Sequence, residues 1–309
     1  MTGYLHQSYA VSLAEFGMPR HLPCCDGWIL VSPISGTSAY DARGCYPLFT
    51  CRNWPGLCSD LEDLGGELVS LVLVTDPFGD YEPGMLAGCF PDLFRPYKEH
   101  YVTDLTLPLM DNISRHHARN LRKAQSVVQV EHCPDPLIFA TQWTELYSRL
   151  ILRHNILGIS AFSAVSLRRQ LQVPGLEMFR AFYNGETVGI MLMYVQGEVG
   201  YYHLAAYSET GYKLRASYAL VAHILDFFAP SLRWISLGAG AGLHGDPSDG
   251  LTRFKRSWAT DTRLAYICGR IFKPVLYHEL ARKRGLTGKD YFPLYRKGEA
   301  WWLAAPKKL

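Results

Sequence analysis

The dipeptide Asn184-Gly185, set between the apolar runs Met178–Tyr183 and Thr187–Val195, constrains this chain more than any other feature. Asn-Gly accepts the positive φ angles that a two-residue hairpin turn requires, so the two runs predict antiparallel strands. A third run, Val199–Tyr207, follows Gln196-Gly197 and extends them into a meander over 178–207. Ala216–Phe228 then carries apolar residues at helical spacing, and Arg233–Leu237 reads as the next strand. Antiparallel strands with a helix returning across them exclude a purely parallel, doubly wound sheet here. They predict a mixed α+β fold built on a mostly antiparallel sheet.

The first third reads differently. Residues 27–33 and 44–50 predict short strands joined by a turn region, Gly36–Arg43. A short helix is expected over Gly56–Leu64, a buried strand over Leu68–Val74, a helix over Gly84–Phe94 and a strand over His100–Leu107, ended by Pro108. No pair of side chains in this region has catalytic spacing. Further on, helices are predicted at Pro136–His154 and Ser163–Leu171, a strand at Thr262–Ile267 and a basic helix at Pro274–Arg284. A chain of 309 residues suits two domains, expected at 1–111 and 112–309.

Charge separates the same two regions. Residues 1–110 hold 5 Lys/Arg against 13 Asp/Glu, and residues 111–309 hold 26 against 15. A basic second part favours a polyanionic ligand, though a bipolar surface without a ligand has the same composition. No run of about 18 apolar residues is present, so no membrane span is expected. The N-terminal residues lack a basic start followed by an apolar core, which makes cytoplasm the expected location. The eight cysteines show no metal-type spacing and are expected as thiols.

Two stretches carry candidate chemistry. Asp111–Ala124 predicts a helix capped by Asp111, Asn112 or Ser114, with Arg115, Arg119, Arg122 and Lys123 mostly along one face. That face is either a solvated basic surface or a contact for RNA or phosphate groups. His116 and His117 diverge on such a helix, so no metal site is expected there. The second stretch is Gly238–Trp258, GAGAGLHGDPSDGLTRFKRSW, whose glycine content predicts a loop. A strand leading into Gly238, Gly240 and Gly242 resembles the cofactor-cradling motif of methyltransferases. In that fold, however, the motif lies on the first strand of a parallel sheet with several βα units to follow. Here it comes late and after antiparallel hairpins.

Taken with the meander, the second half instead resembles the N-acetyltransferase (GNAT) fold. Its pyrophosphate loop, Arg/Gln-x-x-Gly-x-Gly/Ala, is missing, and this departure points to a sub-branch. Asn120-Leu121-Arg122-Lys123-Ala124 before a Val-rich strand, the strand Tyr201–Ala206, and Gly250-Leu251-x-x-Phe254-Lys255-x-x-Trp258 resemble signatures of the Fem-type, BioF2-like group. The likeness covers roughly residues 112–275 and implies two GNAT-like modules in tandem, the first degenerate.

The resemblance implies transfer of an acyl or aminoacyl group to an amine, forming an amide. Lys255 is then the group that stabilises the oxyanion. Phe254 either holds an ammonium or packs, His203 is the candidate general base, and Tyr207 or Tyr212 the proton donor to the leaving group. The donor's phosphates are expected at the start of the helix after the central strand, near Tyr212, Lys213, Arg215 and Ser217. Gly238, Gly240, Gly242, Asp246, Asp249 and Trp258 are expected to line the substrate channel. No bound cofactor or metal is expected. The co-substrate is aminoacyl-tRNA, favoured by the basic second half, or acyl-CoA. A GNAT-like protein that binds a ligand without turnover is the alternative of another class.

Overall fold

The computed structural model describes residues 1–108, 113–240, 249–288 and 290–299. Asn184 and Gly185 take φ angles of 51° and 80°, so the turn read from the sequence forms between strands Leu176–Tyr183 (β7) and Glu186–Gln196 (β8). Val199–Tyr207 (β9) completes the meander, and Gln129–Cys133 (β6) pairs with the outer edge of β7. On the other side of β9 lie Trp234–Ala239 (β10), Leu93–Asp104 (β5), Asp261–Ile271 (β11), Leu68–Val74 (β4), Tyr40–Gly44 (β3), Gly27–Pro33 (β2) and Met18–Leu22 (β1). These eleven strands form one sheet, antiparallel except at β3–β4 and β9–β10. The mixed α+β architecture with a mostly antiparallel sheet is the one expected.

Ten α-helices of the described residues flank the sheet: Gln7–Ser12 (α1), Leu57–Leu64 (α2), Pro83–Cys89 (α3), Arg115–Gln125 (α4), Ala140–His154 (α5), Ala164–Gln170 (α6), Glu209–Leu214 (α7), Ala216–Phe228 (α8), Gly250–Arg256 (α9) and Pro274–Lys283 (α10). Helix α8 buries Ala219, Leu220, Ile224, Leu225 and Phe228, an apolar stripe of helical period against β7–β9. The Ser114 hydroxyl caps α4 by accepting from His117 N at 3.2 Å, one of the three caps expected; Asp111 and Asn112 lie outside the described residues. No described helix is long and apolar enough to cross a membrane.

Several expectations are corrected. The strand expected at 44–50 forms earlier, as β3, because Tyr40, Ala42 and Arg43 pair on both sides while Pro47 interrupts the later segment. The helix expected to reach Phe94 stops at Cys89, and β5 starts at Leu93. Cys58 and Cys89, expected as thiols, form a disulfide joining α2 to α3, with Cα atoms 5.3 Å apart. The glycine stretch is not a loop throughout: its last part is α9, where Asp249 caps the helix by accepting from Thr252 N at 3.0 Å.

Two buried polar contacts join segments that are distant in the chain. The Arg296 guanidinium, without solvent exposure, donates to both carboxylate oxygens of the equally buried Asp41 at 2.8 and 2.9 Å. Near the sheet centre, Tyr201 Oη donates to Asp76 at 2.9 Å, linking β9 to the turn after β4.

Candidate active site

Strands β9 and β10 run parallel but pair over only three residues, Trp234↔Val199, Ile235↔Gly200 and Ser236↔Tyr201. Both then change register against their outer neighbours. β9 slips at His203, where Met193 pairs with Tyr202 but Leu192 with Leu204, and β10 slips at Leu237 against β5. The two strands therefore part, and main-chain groups beyond Tyr201 and Ser236 face a gap without a ladder partner.

Helix α9 delivers a lysine to that gap. Thr252 and Lys255, three residues apart, share its inward face, and both are buried. Lys255 Nζ donates to Ala239 O at 2.8 Å, a carbonyl of β10 just past the parting, and lies 5.1 Å from the centre of the Tyr202 ring on β9. The glycines make room for this approach. Gly238 has φ +75°, and a Cβ there would sit 3.3 Å from Nζ; a Cβ on Gly240 would collide with Thr252 Oγ1. Burial pushes the Lys255 ammonium down to about 7, the charge of Lys98 adds to that, and Asp249 opposes it. His100 on β5, paired with Ala239, is pushed down to about 3 by burial and by Lys255 and Lys98, so it is neutral.

The other expected residues separate into groups. Phe254 and Trp258 pack with His117 and Tyr218, and Trp258 is 1% exposed, a core position; the ring beside the Lys255 ammonium is that of Tyr202. His203 belongs to another cluster. It is buried, with Nδ1 3.1 Å from Tyr4 Oη and Nε2 3.0 Å from Gln170 Oε1, so both nitrogens are engaged, and burial pushes it down to about 3. Tyr207 is half-buried with its hydroxyl inward, its ring 5.5 Å from that of Tyr212, and burial raises its phenol.

Among the expected donor contacts, Tyr212 and Lys213 lie on α7, a short helix that intervenes between β9 and α8; the sequence reading had placed only one helix there. Arg215, at φ 58°, forms the joint, and Ser217 lies in the first turn of α8. Lys213 and Arg215 are exposed, and no side chain caps α8. Arg115, Arg119, Arg122 and Lys123 are all exposed along α4, whereas His117, Asn120, Leu121 and Ala124 face inward. Gly242 and Asp246 lie outside the described residues. Among the described residues no three His, Cys, Asp or Glu side chains are grouped to hold a metal. A cavity of about 1050 Å³ lies elsewhere, against β5, β11 and α10, and neither Lys255 nor Tyr202 lines it.

Compared with solved structures, the chain is similar to FemX over 88% of its length and 93% of that protein, with a TM-score of 0.64 at 12% identity. The fold is FemX-like. The same FemX-like fold appears in the C-terminal domain of a putative lysylphosphatidylglycerol synthetase from Agrobacterium fabrum, with a TM-score of 0.61, 15% identity and coverage of 90% of this chain and 93% of that one. It appears again in L-PGS from Bacillus licheniformis, with a TM-score of 0.54, 14% identity and coverage of 91% and 98%. No protein-family model matches the sequence, and no curated protein matches it.

Sequence reasoning singled out Lys255 and the glycines but missed Tyr202, the Ala239 carbonyl, Lys98 and His100. The apolar strand expected at His100–Leu107 was the available signal, since Lys98 and His100 sit at its start with one residue between them.

Proposed function

We propose that this protein is an acyltransferase that moves an acyl or aminoacyl group onto an amine to form an amide, with Lys255 at the reacting centre. The observation that carries this reading is the buried Lys255 ammonium at the parting of β9 and β10, held on Ala239 O with its pKa near neutrality. The FemX-like fold supports it, since FemX and lysylphosphatidylglycerol synthetase are its neighbours.

The acceptor amine attacks the donor's carbonyl carbon, and the carbonyl oxygen becomes an oxyanion. The amine loses a proton as the new C–N bond forms. Neutral Lys255 takes that proton, which creates a positive charge beside the oxyanion and lowers the barrier by a few kcal/mol. Collapse of the intermediate breaks the bond to the donor's oxygen or sulfur, which takes the proton that Lys255 holds and leaves as hydroxyl or thiol. His203 does not serve as the base, because both of its nitrogens are already bonded. This reading assigns the donor's phosphates to Lys213, Arg215 and Ser217, beside the start of α8 that no side chain caps.

Aminoacyl-tRNA is the donor this reading favours, because four exposed cations along α4 suit a polyanion. Acyl-CoA is the second reading, supported by the open helix start alone. Transfer assays with an aminoacyl-tRNA mixture and with acyl-CoA, each with and without ribonuclease, separate them. Full activity with acyl-CoA and no RNA removes the tRNA reading. In either case kcat/KM should rise with pH through about 7 as Lys255 loses its proton, and Lys255→Met should show no transfer at any pH. A flat profile between pH 6 and 8 refutes the base role, and no turnover with any donor leaves a binding protein.

A further inference from the structure

Lys255 is not the only basic side chain buried at this point. β5 runs antiparallel to β10, and its His100 pairs with Ala239, the residue whose carbonyl holds Lys255. Paired residues in such a ladder have Cα atoms roughly 4.5–5.5 Å apart. Lys98 is two residues back on β5, with unbroken register to β11 from Ala265↔Lys98 to Arg263↔His100, so its side chain lies on the same face as His100. β5 thus brings Lys98 and His100 toward the gap from one side while α9 brings Lys255 from the other.

Two further observations show that this cluster is incomplete without a ligand. His100 is 7% exposed and its Nδ1 has no hydrogen-bond partner; Thr252 Oγ1, one turn before Lys255, is buried and equally unpaired. Native interiors rarely leave such atoms bare. The charges also fail to balance. Among the described residues, the groups around the ammonium are Lys98 and His100 from β5, Tyr202 from β9 and the Asp249 carboxylate at the start of its own helix. Arg263 on β11 is turned to the rings of Phe78 and Trp234, at 4.1 and 4.7 Å. One acid against two lysines is a site built for an added negative charge.

We propose that Lys98 and Lys255, converging from β5 and α9 with His100 between them, form one oxyanion-binding site, so that Lys98 is a second catalytic lysine. It rests on the acyl-transfer reading for its role in turnover but not for its ability to bind a tetrahedral anion. Lys98 keeps its charge on the oxyanion while Lys255 gains its proton, and negative charge and proton enter the site together. Burial lowers both ammonium groups, and the charge of Lys98 lowers Lys255 further, which agrees with this.

Sulfate is the probe, since its charge is constant from pH 6 to 9. Titration of the full chain with sulfate by calorimetry at pH 6 should show binding, and the affinity should fall as pH rises through about 7, where Lys255 deprotonates. Buffers of different ionisation enthalpy should reveal proton uptake on binding near pH 8. Lys98→Met should weaken sulfate roughly tenfold or more at pH 6, the worth of one charged hydrogen bond. It should also move the titration of Lys255 upward, read by NMR of reductively methylated lysines, while Lys98→Arg restores most of the sulfate affinity. No sulfate binding at pH 6, or a Lys98→Met protein that binds sulfate like the parent with Lys255 titrating unchanged, overturns the proposal. Sulfate binding that obeys these rules in a protein inactive with every donor would leave this site standing and sink the acyltransferase reading.

Discussion

Replacing Lys255 with Met should abolish transfer and make the protein more stable. The ammonium is buried, and its pKa falls from an ordinary 10.5 to about 7. At about 1.36 kcal/mol per unit, that difference corresponds to a penalty of roughly 5 kcal/mol on the folded state. Methionine has a similar shape and no charge to desolvate. It leaves Ala239 O without its donor, which costs about 1–3 kcal/mol. The net gain below pH 7 is then about 2–4 kcal/mol, or several degrees in Tm for a chain of this size. The sign with pH follows from the depressed pKa. Below about 7 the lysine is protonated in both the folded and the unfolded states, and the penalty is full. Between 7 and 10.5 the unfolded chain holds the proton and the folded one does not, so the parent's stability rises with pH until the penalty is gone. The Met variant should therefore exceed the parent most at pH 6 and fall below it by about 1–3 kcal/mol near pH 10.5, where only the lost hydrogen bond to Ala239 O remains, measured by urea unfolding across that range. A variant less stable than the parent at pH 6, or an advantage independent of pH, would refute a buried ammonium under strain.

Three other changes probe the surroundings. Gly238→Ala puts a side chain on a residue at φ +75° and a Cβ 3.3 Å from Lys255 Nζ, so transfer should fall tenfold or more for about 1–2 kcal/mol of stability; parental turnover would show that the amine tolerates displacement. Changing Arg115, Arg119, Arg122 and Lys123 together to Gln should weaken tRNA binding and flatten its log–log salt slope by about 3, while leaving folding and any acyl-CoA activity intact. An unchanged slope would remove α4 from the RNA contact. Arg296→Met leaves the buried Asp41 without its cation and should cost about 3–5 kcal/mol in chemical unfolding, with part regained in Asp41→Asn/Arg296→Met; a loss below 1 kcal/mol would mean that water replaces the guanidinium.

What the sequence made legible was local. The turn at Asn184-Gly185 is specified by two residues, and α8 begins and ends where its apolar period does. Lys255 stood out because Gly250-Leu251-x-x-Phe254-Lys255-x-x-Trp258 resembles a Fem-type signature. The rest depends on partners far away in the chain. β1 is five residues with one buried side chain, Leu22, and carries no alternation to read. The helix α9 was masked by the glycines before it, although Asp249 three residues ahead of Thr252 is a usable cap signal. Lys98 and His100 gain their meaning from the pairing of β5 with β10, some 135 residues later, which no local pattern announces. His203 looked well placed because the reading gave it a strand but not its neighbours, Tyr4 and Gln170.

The place of β11 has a consequence for how the chain is made. β4 and β5 are not neighbours: β11 lies between them and pairs with both, although its residues are Asp261–Ile271. While the ribosome is still short of that point, both strands expose an unpaired edge rich in Val and Leu at β4. The first part of the sheet waits until β11 has been made, and α9 is already in hand when β11 slides in directly after it. A nascent or truncated chain ending before Asp261 should consequently be an aggregation-prone client of chaperones, and the molecule acquires its lysine cluster and its closed sheet in the same late event.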